Sequence, residues 1–170
     1  MKFSCNRAMA LLVISSAFLL AVTGCKKSNS SNSGTAISAT INGTAWSSNL
    51  GTLGFYVSGG ISGGEFDIEG GQLKSGDTTA FDLTFLSPFT LNQAVSSDTS
   101  EISILYSDVK TTNTYEGTFG VGHFDLTITA YDSTGKTIGG TFSGVLYNVL
   151  SSTDSIEVTN GKFNSSFTVN

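Results

Sequence analysis

The 170-residue sequence predicts an all-β, antiparallel fold, a sandwich or flattened barrel of about eight to ten short strands. Three observations carry this. Apolar and polar residues alternate in one segment after another, as in Glu65-Phe66-Asp67-Ile68-Glu69 and Phe124-Asp125-Leu126-Thr127-Ile128, so each strand offers one face to a core. Turn signals built from Gly, Asn and Asp recur between those segments. Pro88 is the only proline, Gly is abundant, and nothing after residue 24 has a helical period.

The elements follow in order. Ile37, Ala39 and Ile41 alternate with Ser38 and Thr40 before Asn42-Gly43, the strongest short hairpin signal. A two-residue turn sets Ile41 opposite Thr44 and Ala39 opposite Trp46, so the small alanine leaves room for the only tryptophan to plug the core. Phe55 and Val57 begin a strand, and Gly59 to Gly64 is a flexible turn into Glu65–Glu69, which Gly70-Gly71 is expected to close. Phe81, Leu83 and Phe85 form the next strand, ending before Pro88, which cannot donate to a ladder. Residues 89–100 read either as a short strand with a loop or as a helical turn around Asn92 to Ser96. Ile102, Ile104 and Tyr106 alternate, and Thr114 to Phe119 do so more weakly. Phe124 to Ala130 pairs with Thr137 to Leu146 across Asp132-Ser133-Thr134-Gly135, where Asp132 accepts from the backbone two residues on and Gly135 is expected at positive φ. A last hairpin is expected at Asn160-Gly161, with Val158 facing Phe163.

The N-terminus has a different character. Lys2 and Arg7 precede an apolar run, Ala8 to Val22, broken only by Ser15 and Ser16, which is the layout of a secretory signal. The run is shorter than the roughly 20 residues that span a bilayer, so a transmembrane reading is disfavoured. It ends in Leu20-Ala21-Val22-Thr23-Gly24-Cys25. Val22-Thr23-Gly24-Cys25 resembles the bacterial lipobox, which implies cleavage after Gly24, lipidation of Cys25 and a membrane partner reached through the acyl chains. One such chain binds a membrane marginally, at about 0.8 kcal/mol per buried methylene, whereas two or more anchor durably.

The expected organisation is a signal peptide over 1–24, a lipid-anchored linker over 25–36 and a single β domain over 37–170. The linker KKSNSSNSGTA has too little to bury to offset its ordering entropy, and it reaches about 18 Å. Of the two cysteines, Cys5 lies in the signal and Cys25 would be blocked, so the domain has neither disulfide nor thiol nucleophile. From Cys25 onward, six lysines face thirteen acids with no arginine, a formal charge of −7 that disfavours a nucleic-acid partner.

Three blocks, Ile37-Ser38-Ala39-Thr40-Ile41-Asn42-Gly43-Thr44-Ala45-Trp46, Gly140-Thr141-Phe142-Ser143-Gly144 and Val158-Thr159-Asn160-Gly161-Lys162-Phe163, resemble the signature blocks of an uncharacterised lipoprotein domain family of Bacteroidota. The resemblance implies an envelope location and a β fold, and it supplies no catalytic residue.

Candidate site residues are few. Glu65, Asp67 and Glu69 line one face of one strand, where three carboxylates repel unless hydrated or bridged by a cation such as calcium; a solvated edge-protecting face is the alternative. Tyr131 and Tyr147 fall opposite Ile128 and Leu146 by alternation and are candidates for stacking on a sugar or seating a partner, against rim packing. His123 is the only histidine and is expected at a turn or strand end. Without a second histidine or a free thiol it completes neither a zinc site nor a nucleophile triad, and no cofactor is expected. Gly59 to Gly64 lacks the helix and lysine of a phosphate cradle. The leading expectation is a lipid-anchored, non-enzymatic binding or interaction module of the cell envelope with a protein or glycan ligand. The alternatives are an envelope hydrolase that uses paired acids on glycans and a structural subunit of an envelope complex.

Overall fold

Residues 36–57 and 64–169 are described by the computed structural model. Residues 1–35, on which the expected signal peptide, the candidate lipidation residue Cys25 and most of the expected linker fall, lie outside them, as do residues 58–63, where a glycine-rich turn is expected. Twelve strands, no helix among them, cover most of the described chain: β1 (Ala36–Ile41), β2 (Thr44–Ser47), β3 (Thr52–Val57), β4 (Glu65–Lys74), β5 (Asp77–Leu86), β6 (Ala94–Ser96), β7 (Ile102–Asp108), β8 (Asn113–Gly117), β9 (His123–Asp132), β10 (Thr137–Asn148), β11 (Ser151–Ser166) and β12 (Thr168–Val169). The expected all-β class is therefore the observed one.

The strands form one continuous sheet in the order β12-β3-β4-β5-β7-β8-β10-β11-β1-β2, with β9 beside β10 and β6 beside β9. Every pairing is antiparallel except the short β12–β3 contact. The path curls back on itself, β2 reaching β4: Gln72 Nε2 donates to Ser47 O at 2.8 Å, and Asn49 N donates to Gly71 O at 2.9 Å. The result is a flattened, nearly closed barrel, which leaves few open edges to pair with other chains.

Its interior is apolar and aromatic. Phe66 and Ile68 on β4, Phe81, Leu83 and Phe85 on β5, Ile102 and Ile104 on β7, and Phe124, Leu126 and Ile128 on β9 are all buried, at the alternating positions that point inward. Trp46 is buried as well, its ring edge-on to Phe81 with centroids 4.8 Å apart.

The first hairpin has the expected register, Ala39 opposite Trp46 and Ile41 opposite Thr44, with Asn42 and Gly43 at φ 46° and 79° as a type I′ turn requires. Residues 94–96 resolve as a strand, and Asp132 Oδ1 accepts from Thr134 N and Gly135 N at 2.9 and 2.8 Å.

Three local expectations are corrected. Gly70-Gly71 does not end a strand: β4 runs on to Lys74 and turns at Ser75-Gly76. A Cβ at Gly70 would lie 2.9 Å from Ile37 Cδ1, so the glycine makes room for β1 rather than for a turn. Asn160-Gly161 is likewise no hairpin. The strand β11 passes through it, with Asn160 at φ 53° and the registers with β1 and β10 both shifting there, which marks a bulge. Phe163 therefore pairs with Gly140 and Ile37 rather than with Val158. In the β9–β10 turn it is Lys136, at φ 53°, that takes the positive φ expected of Gly135.

Candidate functional site

A concavity lies where the barrel wall parts between β7 and β9. After β5 the chain leaves the sheet at Ser87-Pro88, joined by a cis peptide bond. It crosses to pair with β9 as β6, Ala94 opposite Thr127 and Val95 opposite Leu126, and returns as β7 beside β5. A three-residue strand is too short to seal the gap it bridges, and a cleft of ≈ 360 Å³ remains. That lies within the range of about 300–1,000 Å³ typical of ligand sites. Phe85, Ile102, Leu126 and Ile128 form its floor, Pro88, Phe89 and Val95 its wall, and Thr90, Gln93, Ser100 and Glu101 its rim. Thr90, Gln93 and Glu101 are exposed, so donors and acceptors ring an apolar base. Nothing in the sequence of 87–101 singled it out, because the floor comes from strands remote in sequence.

The carboxylates meet differently from the expectation. Asp67 and Glu69 cluster with Asp82 rather than with Glu65: one oxygen from each of the three lies within 4.8 Å of the others. The pairing of β4 with β5 sets Glu69 opposite Asp82 and Asp67 opposite Thr84, on the face turned away from the core, while Glu65 stands at the exposed end opposite Leu86. Asp67 Oδ1 and Asp82 Oδ1 are sealed from solvent, and no donor from another described residue reaches them. The charges feel this confinement. Burial, with Asp67 beside it, raises the Glu69 carboxyl to about 7. Burial, then Asp67 through its charge and its side-chain hydrogen bond with Asp82, then the charges of Glu69 and Glu65 push Asp82 well above the usual carboxylate range. Asp82 was missed because alternation reveals one strand's face and not the strand that pairs beside it.

His123 opens β9, at a strand end as expected. Its Nδ1 meets Asp98 Oδ2 at 2.9 Å and its Nε2 meets Asp125 Oδ2 at 3.0 Å. These two hydrogen bonds raise its pKa. With both ring nitrogens committed to carboxylates, the imidazole has no free nitrogen to act as a base or ligand.

Tyr131 and Tyr147 do not share a platform. Tyr131 pairs with Ile138, nine positions along β10 from Tyr147, a separation of roughly 30 Å at the rise of a strand. Tyr131, 41% exposed, is built into an aromatic cluster, stacked on Phe167 at 6.0 Å and edge-on to Phe66 and Phe89. Tyr147 is half-buried, paired with Ser155 and Glu116. Comparison with protein-family models, with curated proteins and with solved structures returned no match.

Proposed function

We propose that the chain is a lipid-anchored binding module of the cell envelope, and that the cleft between β7 and β9 is where it holds its ligand. The observation that carries this is the cleft's chemistry: an apolar floor of Phe85, Ile102, Leu126 and Ile128 under a polar rim. Burying a compact apolar group there contributes roughly 25 cal/mol per Å², and Gln93 and Glu101 would orient the polar atoms that flank it. Such a site fits an extended segment of a partner protein offering one apolar side chain better than it fits a sugar, whose ring presents hydroxyls all round. The envelope location rests on Val22-Thr23-Gly24-Cys25 at the end of the apolar run, and on the resemblance of the three blocks to Bacteroidota lipoproteins.

A photo-crosslinking side chain placed at Gln93 or Ser100 of the full-length protein in its native envelope tests the site. The expected result is one discrete adduct from each position, none from Lys162 on β11, and loss of the adduct when Leu126→Trp fills the cleft. No adduct at either rim position, or an equal one from Lys162, would overturn the proposal.

A further inference from the structure

We infer that Asp67, Glu69 and Asp82 form a divalent-cation site on the outer face of the β4–β5 pair, and that its ion is calcium. Two independent observations support it. The first is convergence: three carboxylates from adjacent strands each bring an oxygen within 4.8 Å of the other two. Like charges set directly across a strand pair, as Glu69 and Asp82 are, destabilise it unless something offsets the repulsion. The second is the pair of buried acceptors. Asp67 Oδ1 and Asp82 Oδ1 are shut off from solvent, and although the two carboxyls contact each other, no donor from any other described residue reaches either oxygen. Among the described residues no lysine pairs with any of the three, and the ion pairs found there belong to His123. A bound cation satisfies both observations at once.

The donor set selects the ion. All-oxygen, all-anionic ligands suit a hard divalent cation, and neither sulfur nor imidazole is present to favour zinc or copper. Three points within 4.8 Å of one another share a point no more than 4.8/√3, about 2.8 Å, from each. Calcium, which takes flexible oxygen shells at about 2.3–2.6 Å, needs only a small inward shift, whereas magnesium demands about 2.0–2.1 Å in rigid octahedral geometry. Three protein oxygens leave several calcium positions for water or for an anionic group brought by a partner.

The test is calcium titration of the protein as purified from cells, in detergent at neutral pH, read by calorimetry and by thermal melting against an EGTA control, with magnesium in parallel. The expected result is one calcium per chain, a higher melting temperature with calcium, and at most a tenth of that affinity for magnesium. Asp82→Asn and Asp67→Asn each lose the calcium response, while Glu65→Gln keeps it. Should either asparagine variant fail to fold, Glu69→Gln, with an affinity at least tenfold weaker, takes its place. Melting temperatures that match in calcium and EGTA, or a calcium response unchanged in all three cluster variants, would overturn the inference and leave a proton shared between Asp67 and Asp82 as the occupant.

Discussion

Trp46 Nε1 donates to Thr79 Oγ1 at 2.7 Å, a buried hydrogen bond across 33 residues of sequence that ties the first hairpin to β5. The indole is otherwise surrounded by apolar side chains and stands edge-on to Phe81, so the threonine hydroxyl is what makes a tryptophan tolerable at this depth.

Thr79→Val keeps the shape and removes the acceptor, leaving a buried N–H unpaired. The expected loss is about 1–3 kcal/mol of stability, while Thr79→Ser retains most of it. Denaturant melts followed by tryptophan fluorescence check this, since Trp46 is the only tryptophan.

Gly161 marks where β11 bulges past Phe142: a Cβ there would run into the Phe142 carbonyl and ring. Gly161→Ala is expected to cost about 1–3 kcal/mol through overpacking. In contrast, an alanine at Gly120, where a Cβ meets nothing within 4 Å, is strained only through its φ of 79° and costs less. Parallel thermal melts of the two variants decide it.

The carboxylate cluster sets a pH dependence whose sign can be worked out. Glu69 titrates at about 7 in the folded protein, and Asp82 is also raised, so the native state holds protons that the unfolded chain has released. Stability therefore falls as pH rises from about 4.5, where an unfolded glutamate ionises, to about 7. The charged groups facing Glu69 are Asp67 on β4 and Asp82 on β5, and Glu65 on β4 acts on Asp82; Leu53 on β3 is the register partner of Glu69 and Leu105 on β7 that of Asp82, neither of them a charged residue. In EGTA the melting temperature should be higher at pH 5 than at pH 8, and Glu69→Gln should flatten that slope.

His123 adds to the same trend by another route. Its pKa is raised by its hydrogen bonds to Asp98 and then Asp125, so its contribution is fully present below the unfolded histidine's pKa and is lost as pH rises through the folded value. About half of each side chain is exposed, so the contribution is screened and below about 1 kcal/mol. His123→Asn should therefore shift the melting temperature slightly at pH 5 and not at pH 9.

The alternating segments of β4, β5, β7 and β9 and the Asn42-Gly43 turn were legible because each is decided by neighbours a few residues away. Pairing between distant strands was not. Gly70 and Gly161 carry the residue types of turns, yet each makes room for a side chain from another strand, Ile37 and Phe142 respectively, which no local pattern reveals. For the same reason the sequence offered Glu65, Asp67 and Glu69 as a candidate cation face, against a solvated one, while the place of Asp82 beside Asp67 and Glu69 instead of Glu65 waited on the β4–β5 register, and the cleft waited on the crossing of residues 87–101 to β9.

The central claim, a β body tethered to a membrane by one modified cysteine, is tested most directly by mass spectrometry of the N-terminal peptide from membrane-extracted protein. The expected result is a chain beginning at Cys25 with a diacylglyceryl thioether, and a Cys25→Ser protein that keeps residues 1–24 and receives no acyl chain. An unacylated Cys25 inside a chain that still starts at Met1, or membrane retention and processing of Cys25→Ser like those of the parent, would contradict it.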